Sequence, residues 1–159
     1  MSEGRIVAYT ECRSTEATKP LLRCSPRIVD SMTELLKSST IFCDRVVGIT
    51  TDCDDAGSTG TLAKLGAAVV DMESYSILEA ASTAGVPAAV VRVVSDSIDR
   101  VLPNLNRALN DDGALDGRKA LRVALGSPLR TAKLLAANKR AMQHLGRALD
   151  IILKAPCFA

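Results

Sequence analysis

Gly66-Ala67-Ala68-Val69-Val70-Asp71-Met72-Glu73-Ser74, followed one helix length later by Ala88-Ala89-Val90-Val91-Arg92-Val93-Val94-Ser95-Asp96, is the part of this chain that decides its fold. Each stretch is a short apolar run that closes on acidic and hydroxyl residues. The first is bounded by glycine, and the second is almost continuously apolar, the pattern of a strand covered on both faces. Both therefore predict buried parallel strands. Between them, Ser74 to Ala84 carries strong helix formers, Gly85 stands where a left-handed C′ residue belongs, and Pro87 follows where a helix cannot continue. Asp71 and Ser74 are both candidate N-caps. Strand, crossover helix and parallel strand form a right-handed unit, which predicts that Asp71-Met72-Glu73 and Ser95-Asp96 emerge at one edge of the sheet. Ligands of open α/β sheets bind at that carboxyl edge.

Two carboxylates at such an edge can divide the work of cleaving an N-ribosyl bond. An ionised one accepts hydrogen bonds from a ribose diol, and a protonated one donates to the leaving base. Glu73 suits the first role and Asp96 the second. Donation by Asp96 requires a pKa raised by burial or by the neighbouring negative charge. A purely structural use of the same residues stands beside this one: Asp71 and Glu73 complement a helix N-terminus, and Asp96 caps the next turn. Spacing alone does not separate the two, because structural charge networks also place acids at such junctions.

The string Val70-Asp71-Met72-Glu73-Ser74, then Gly85-Val86-Pro87, then Val91-Arg92-Val93-Val94-Ser95-Asp96, resembles the nucleoside phosphorylase and nucleosidase superfamily, whose members share a Met-Glu and a Ser-Asp element in this order. The continuation Asp99-Arg100-Val101-Leu102-Pro103, then Asp111-Asp112-Gly113 and a Leu- and Arg-rich helical tail, is most similar to the hopanoid-associated phosphorylase-like branch. The resemblance implies a three-layer α/β/α phosphorylase/hydrolase-like fold with a mostly parallel central sheet and C-terminal helices. It implies cleavage of the N-ribosyl bond of an adenine-type purine nucleoside, with an adenosylated hopane lipid precursor as the substrate of that branch. Met72 and Glu73 would contact the ribose, Ser95 the purine, and Asp96 would protonate the base. A methylthioadenosine or adenosylhomocysteine type nucleosidase is the alternative within the enzymes, and a catalytically silent binding or assembly module the alternative outside them. No cofactor is implied; phosphate is the co-substrate if the reaction is a phosphorolysis.

The resemblance covers Gly66 to the C-terminus well and is thin before it. Gly4-Arg5-Ile6-Val7-Ala8-Tyr9 reads as a mid-sheet strand of the family rather than its first. The expectation is thus a single phosphorylase-like domain over residues 1–159 that lacks the glycine-rich anion site and the early glutamate with which family members begin. Upstream of the deciding stretch, the pattern predicts a strand from Arg5 to Thr10, a loop to Cys24, a helix from about Ser25 to Ser38 and a strand from Arg45 to Thr50. The following loop holds Asp52, Asp54, Asp55 and Gly57 but has Ala63 where a calcium loop needs its late glutamate, so no metal is expected there. In the family this region walls the base side of the pocket, often with an aromatic residue, which is absent here. Beyond Asp96, a long polar loop leads to helices at about Leu115 to Leu125 and Pro128 to Leu153.

With 159 residues and 47% hydrophobic content, the chain can bury one substantial core. Aromatic residues are 3% and Trp is absent, so the core is expected to be built from Ala, Val, Leu and Ile, and stacking platforms for single-stranded nucleic acid are not indicated. A few strands cut from a larger sheet leave an apolar edge that favours pairing with another chain, which predicts a homo-oligomer. Net charge is only +2, but residues 118–159 hold nine Lys or Arg against one acid. Arg118, Lys119, Arg122, Arg130, Lys133, Lys139, Arg140, Arg147 and Lys154 alternate with Leu and Ala at helical spacing. Such helices either pack their apolar stripe on the sheet and leave a solvated basic face or lie on an anionic membrane as a peripheral contact. The five cysteines contain no Cys-x-x-Cys pair, so neither a disulfide framework nor a zinc site is indicated. Without a signal sequence or an apolar run of about 20 residues, a reducing cytoplasm is the expected compartment. His144, the one histidine, falls on the basic tail and is expected at the surface rather than in catalysis.

Overall fold

The computed structural model describes residues 2–51, 66, 68–95, 110 and 116–156, the side chains of 123 and 124 excepted. Its organising strand is β1 (Ile6–Ser14), in which Ile6, Val7, Ala8 and Tyr9 are all buried, so that both faces are covered. On one side β1 pairs in parallel with β3 (Cys43–Thr50), which pairs in parallel with β4 (Val69–Asp71). On its other side lie two short antiparallel partners: β5 (Val91–Val93) beside Ile6–Ala8, and β2 (Leu22–Arg23) beside Glu11 and Cys12. The longest pairing, β1 with β3, is parallel, which gives the mostly parallel sheet that the sequence predicts.

Helices cover both faces. Successive strand residues point to opposite sides, and Ile6 and Val7 accordingly join different clusters. Ile6 packs with Met32 and Leu36 of α1 (Pro26–Ser38) and with Ala148 and Ile152 of α4 (Pro128–Leu153). Val7 packs with Tyr9, Cys12, and Tyr75 and Leu78 of α2 (Ser74–Thr83). The result is the expected three-layer α/β/α architecture, completed by α3 (Gly117–Gly126), which packs on α4. Both candidate C-terminal helices form close to their predicted bounds.

Helix ends follow their chemistry. Gly85 takes φ +68°, and the Val86 and Gly85 amides donate to the Ala81 and Ser82 carbonyls, as a left-handed C′ glycine requires. The same motif ends α1, where Ile41 and Thr40 donate to Leu36 and Lys37; here a β-branched residue, Thr40, holds φ +60°. Asp116 accepts from the Arg118 and Lys119 amides at 2.8 and 3.1 Å and so opens α3.

Three expectations are corrected. First, β5 is not the parallel neighbour of β4: it runs antiparallel to β1, and both β1 and β3 lie between the two strands. Apolarity reports burial, which either direction satisfies. The direction is set by where the chain first docks, with the Ala88 carbonyl on the Ser25 amide and the Val90 carbonyl on the Tyr9 amide, so that the run then travels back along β1 toward Gly4. Second, β1 continues to Ser14 and β2 forms within the expected loop. A bulge between Tyr9 and Glu11 resets the alternation, and Cys12 again faces inward. Third, the core is not purely aliphatic. Tyr9 and Tyr75, both of the chain's tyrosines, are its largest fully buried side chains.

Candidate active site

The carboxyl ends of β3 and β4 adjoin at Thr50 and Asp71, and the N-terminus of α2 rises directly from β4. Asp71 is the hub of this junction. Its side chain is only 6% exposed. Oδ1 accepts from the Glu73 amide at 3.0 Å, the Ser74 amide at 2.9 Å and the Thr50 hydroxyl at 2.9 Å, while Oδ2 accepts from the Tyr9 hydroxyl at 2.7 Å. Asp71 thereby caps α2 from three residues upstream of its first helical residue. Thr50 extends the network by accepting from the Tyr75 amide at 2.9 Å, and Cys12 Sγ lies 3.6 Å from its hydroxyl.

Arg92 completes the junction from the far side of the sheet. Its side chain reaches from β5 to the Ser74 hydroxyl, which accepts from Nε at 3.2 Å and Nη2 at 3.0 Å. Nη2 also donates to Glu73 Oε2 at 2.8 Å, and Nε stands 3.6 Å from Asp71 Oδ2. One guanidinium thus ties together both acids and the hydroxyl of the turn, the forked geometry to which arginine is suited.

The electrostatics agree with that geometry. Burial alone would raise the Asp71 carboxyl, but hydrogen bonds from Ser74 and Tyr9 and the charge of Arg92 outweigh it and hold Asp71 below its ordinary range. Burial likewise disfavours the charged Arg92, and Glu73 and Asp71 reverse the effect, leaving it raised. Tyr9 is raised far above the usual phenol range, first by burial and then by its hydrogen bond to Asp71. Its ring packs directly over Gly48 of β3: a methyl group there would sit 2.0 Å from Tyr9 Cε2. The absence of a side chain at 48 is what lets Tyr9 cross β3 and reach β4.

The sequence-predicted residues fall unevenly on this site. Met72 and Glu73 occupy the turn between β4 and α2, both well exposed, and Glu73 is fixed by Arg92. Ser95 follows β5, where the Gly4 amide donates to the Val94 carbonyl and the Val94 amide to the Arg5 carbonyl. It therefore leaves the sheet at the N-terminal end of β1, not at the edge that carries Asp71, and the expectation of one shared edge is corrected for the strands. Asp96 lies outside the described residues, as does the acidic loop Asp52 to Gly57. Among the described residues, no group of three or more His, Cys, Asp or Glu could hold a metal ion.

Sequence reasoning had Asp71 as a cap but not as a hub, and it missed Tyr9, Thr50 and Arg92. Arg92 left a signal: it is a lone charge inside a seven-residue apolar run, and a partly buried cation demands partners. Tyr9 and Thr50 left none, since their roles come from strand pairing distant in sequence. A groove of about 630 Å3 lies elsewhere, lined by Thr33, Lys37, Ile41 and Phe42 at the start of β3.

This arrangement defines an α/β/α protein with a charged, capped turn at the carboxyl end of its parallel strands. The chain belongs to the phosphorylase superfamily, whose model matches residues 39–125, a span that contains Thr50, Asp71 to Ser74, Arg92, Ser95 and Asp96. No curated protein matches it in sequence. Its fold is similar to that of a Francisella philomiragia protein provisionally assigned as a 5′-methylthioadenosine/S-adenosylhomocysteine nucleosidase, with a TM-score of 0.60 and 16% identity over 94% of this chain. It is similar also to the S-adenosylhomocysteine nucleosidase of Streptococcus pyogenes (0.58, 21%, 94% of this chain), solved with 5-methylthiotubercidin, and to the futalosine hydrolase of Helicobacter pylori (0.58, 14%, 94% of this chain). The chain spans 63%, 61% and 61% of the lengths of these three proteins, respectively.

Proposed function

We propose that the Asp71–Arg92 junction is the ribose-binding half of an N-ribosyl cleavage site for an adenine-type purine nucleoside. The observation that carries this reading is the pairing of Glu73 with Arg92 at 2.8 Å on a turn that Asp71 cross-links. Glu73 is exposed, yet its carboxylate is held through Oε2 alone by a side chain anchored across the sheet. A carboxylate so placed accepts hydrogen bonds from a vicinal diol without first being ordered, and preorganisation of this kind lowers the entropic cost of binding. Met72, exposed beside it, offers an apolar surface to the sugar.

By the resemblance, Ser95 would contact the purine and Asp96, as general acid, would protonate the base as the glycosidic bond breaks, leaving positive charge on the ribosyl group. With Ser95 at the N-terminal end of β1, this base-side half rests on the motif and not on the geometry of the Asp71–Arg92 junction. Water or phosphate then takes the ribosyl group, giving a hydrolase or a transferase. The resemblance of Asp99 to Pro103 favours an adenosylated hopane lipid as the substrate, while the likeness to methylthioadenosine and adenosylhomocysteine nucleosidases favours a soluble thio-nucleoside. A homo-oligomer that covers the short edge strand β4, where Val70 is part exposed, accompanies the proposal, with the reducing cytoplasm as its compartment.

The test is release of free adenine from adenosine, 5′-methylthioadenosine and an adenosylated hopanoid. Turnover of one of these, reduced about a hundredfold or more by Asp96→Asn, supports the reading. Full activity in Asp96→Asn would remove Asp96 from its role, because an amide cannot supply the proton. Binding of adenine nucleosides without turnover would favour a silent binding module.

A further inference from the structure

The basic C-terminal helices carry an apolar face that the core does not use. In α4 the buried positions are Ala137, Ala141, Ala148 and Ile152, of which Ala148 and Ile152 pack with α1 and with Ile6 of the sheet. Leu129, Leu135 and Met142 are instead exposed at 78%, 63% and 55%, and Leu121 and Leu125 of α3 at 60% and 70%. Leucines 121 and 125 stand four apart and share their helix face with Arg118 and Arg122, three residues before each. From 117 to 149 the sequence holds eight Lys or Arg and no Asp or Glu. Among the described residues, the one ion pair on α4 is at its far end, Lys154 with Asp150.

Isolated exposed leucines need no explanation, but four leucines and a methionine on two consecutive helices, interleaved with cations, form an exposed amphipathic surface. We propose that α3 and the first half of α4 bind an anionic lipid bilayer, lying in its interfacial plane. Leucine and methionine enter the boundary between headgroups and acyl chains, and Arg and Lys stems run up beside them to place their charges among lipid phosphates. The charge selects the occupant. A second copy of the chain would set these cations against cations of the same sign, whereas an anionic leaflet presents the opposite charge. No helix among the described residues is long and apolar enough to cross a membrane, which leaves the contact peripheral. This inference is independent of the nucleoside reading, since neither Glu73 nor Asp96 takes part.

Flotation of the full chain with phosphatidylcholine vesicles, with and without phosphatidylglycerol, tests it. Binding is expected only with the anionic lipid, falling steeply as salt rises. Leu121→Gln with Leu125→Gln, and separately Lys139→Glu with Arg140→Glu, should each lower partitioning about tenfold or more while helical circular dichroism is unchanged. Equal binding to neutral vesicles, or unchanged partitioning of both folded variants, would overturn the proposal. So would sedimentation showing a lipid-free dimer that Leu121→Gln with Leu125→Gln dissolves, because the face would then belong to a second copy. If a leucine pair misfolds the protein, Arg118→Gln with Arg122→Gln, which alters exposed cations alone, carries the same expectation.

Discussion

The junction at Asp71 and the surface of α3 and α4 are both rich in charge, yet they are built on opposite rules. At the junction each cation has its acid and each buried oxygen its donor: Arg92 against Glu73 and Asp71, Tyr9 and Thr50 against Asp71. On the helices, residues 117–149 carry cations and no acid, and these stand among exposed leucines. A closed network fixes geometry at the expense of adaptability, which suits a small ligand of fixed shape. An open surface of one sign fixes little by itself and, as proposed for a bilayer, meets a large partner of opposite charge. Substitutions at the first should therefore act on stability and ligand binding together, and substitutions at the second on neither.

The largest loss of stability is expected from Asp71→Ala. It strands the Tyr9 hydroxyl, two amides and Thr50 and leaves Arg92 short of a countercharge, at a cost of about 3 kcal/mol or more in chemical denaturation. Because its pKa is lowered in the folded protein, Asp71 contributes stability that is fully present above the ordinary carboxylate value of about 4 and is lost as pH falls below it. The stability gap between the wild type and Asp71→Asn should accordingly be level from neutral pH to about 5 and close in stronger acid.

Gly48→Ala comes next. The added methyl collides with the Tyr9 ring, and the displaced tyrosine loses Asp71, so a destabilisation of about 1–3 kcal/mol is expected by thermal melting. Tyr9→Phe keeps the packing and removes only the hydroxyl, at about 1 kcal/mol. It also changes the alkaline limb. Wild-type Tyr9 holds its proton in the folded state while the unfolded chain ionises near pH 10, so stability falls as pH rises above about 10, and Tyr9→Phe should flatten that fall.

How far these two regions could be read from the sequence follows from the range of the interactions that make them. The helical surface was legible: Pro128 to Leu153 forms as the pattern predicts, and the cations lie where periodicity puts them. So were α2, its Gly85 stop and the capping carboxylate of Asp71, all of which depend on residues within a few positions of each other. The direction of β5 was not, because an apolar run reports only that a strand is covered. Nor was the reach of Tyr9 to Asp71 legible, since it requires β1, β3 and β4 to lie side by side and a glycine at 48 to clear the way. Half the site is thus local chemistry, and half exists only once the sheet has assembled.

Lys139→Glu with Arg140→Glu gives the smallest effect in solution. Both are surface positions, and the pair should shift unfolding free energy by no more than about 0.5 kcal/mol each.

Calorimetric titration with 5′-methylthioadenosine, comparing wild type, Glu73→Ala and Lys139→Glu with Arg140→Glu, tests the central claim most directly, because it reads the ribose contact without requiring turnover. The account predicts saturable binding that Glu73→Ala weakens about tenfold or more, as loss of a charged hydrogen-bond acceptor should, and that the helix variant leaves intact. Binding to the wild type with an affinity unchanged in Glu73→Ala would contradict it.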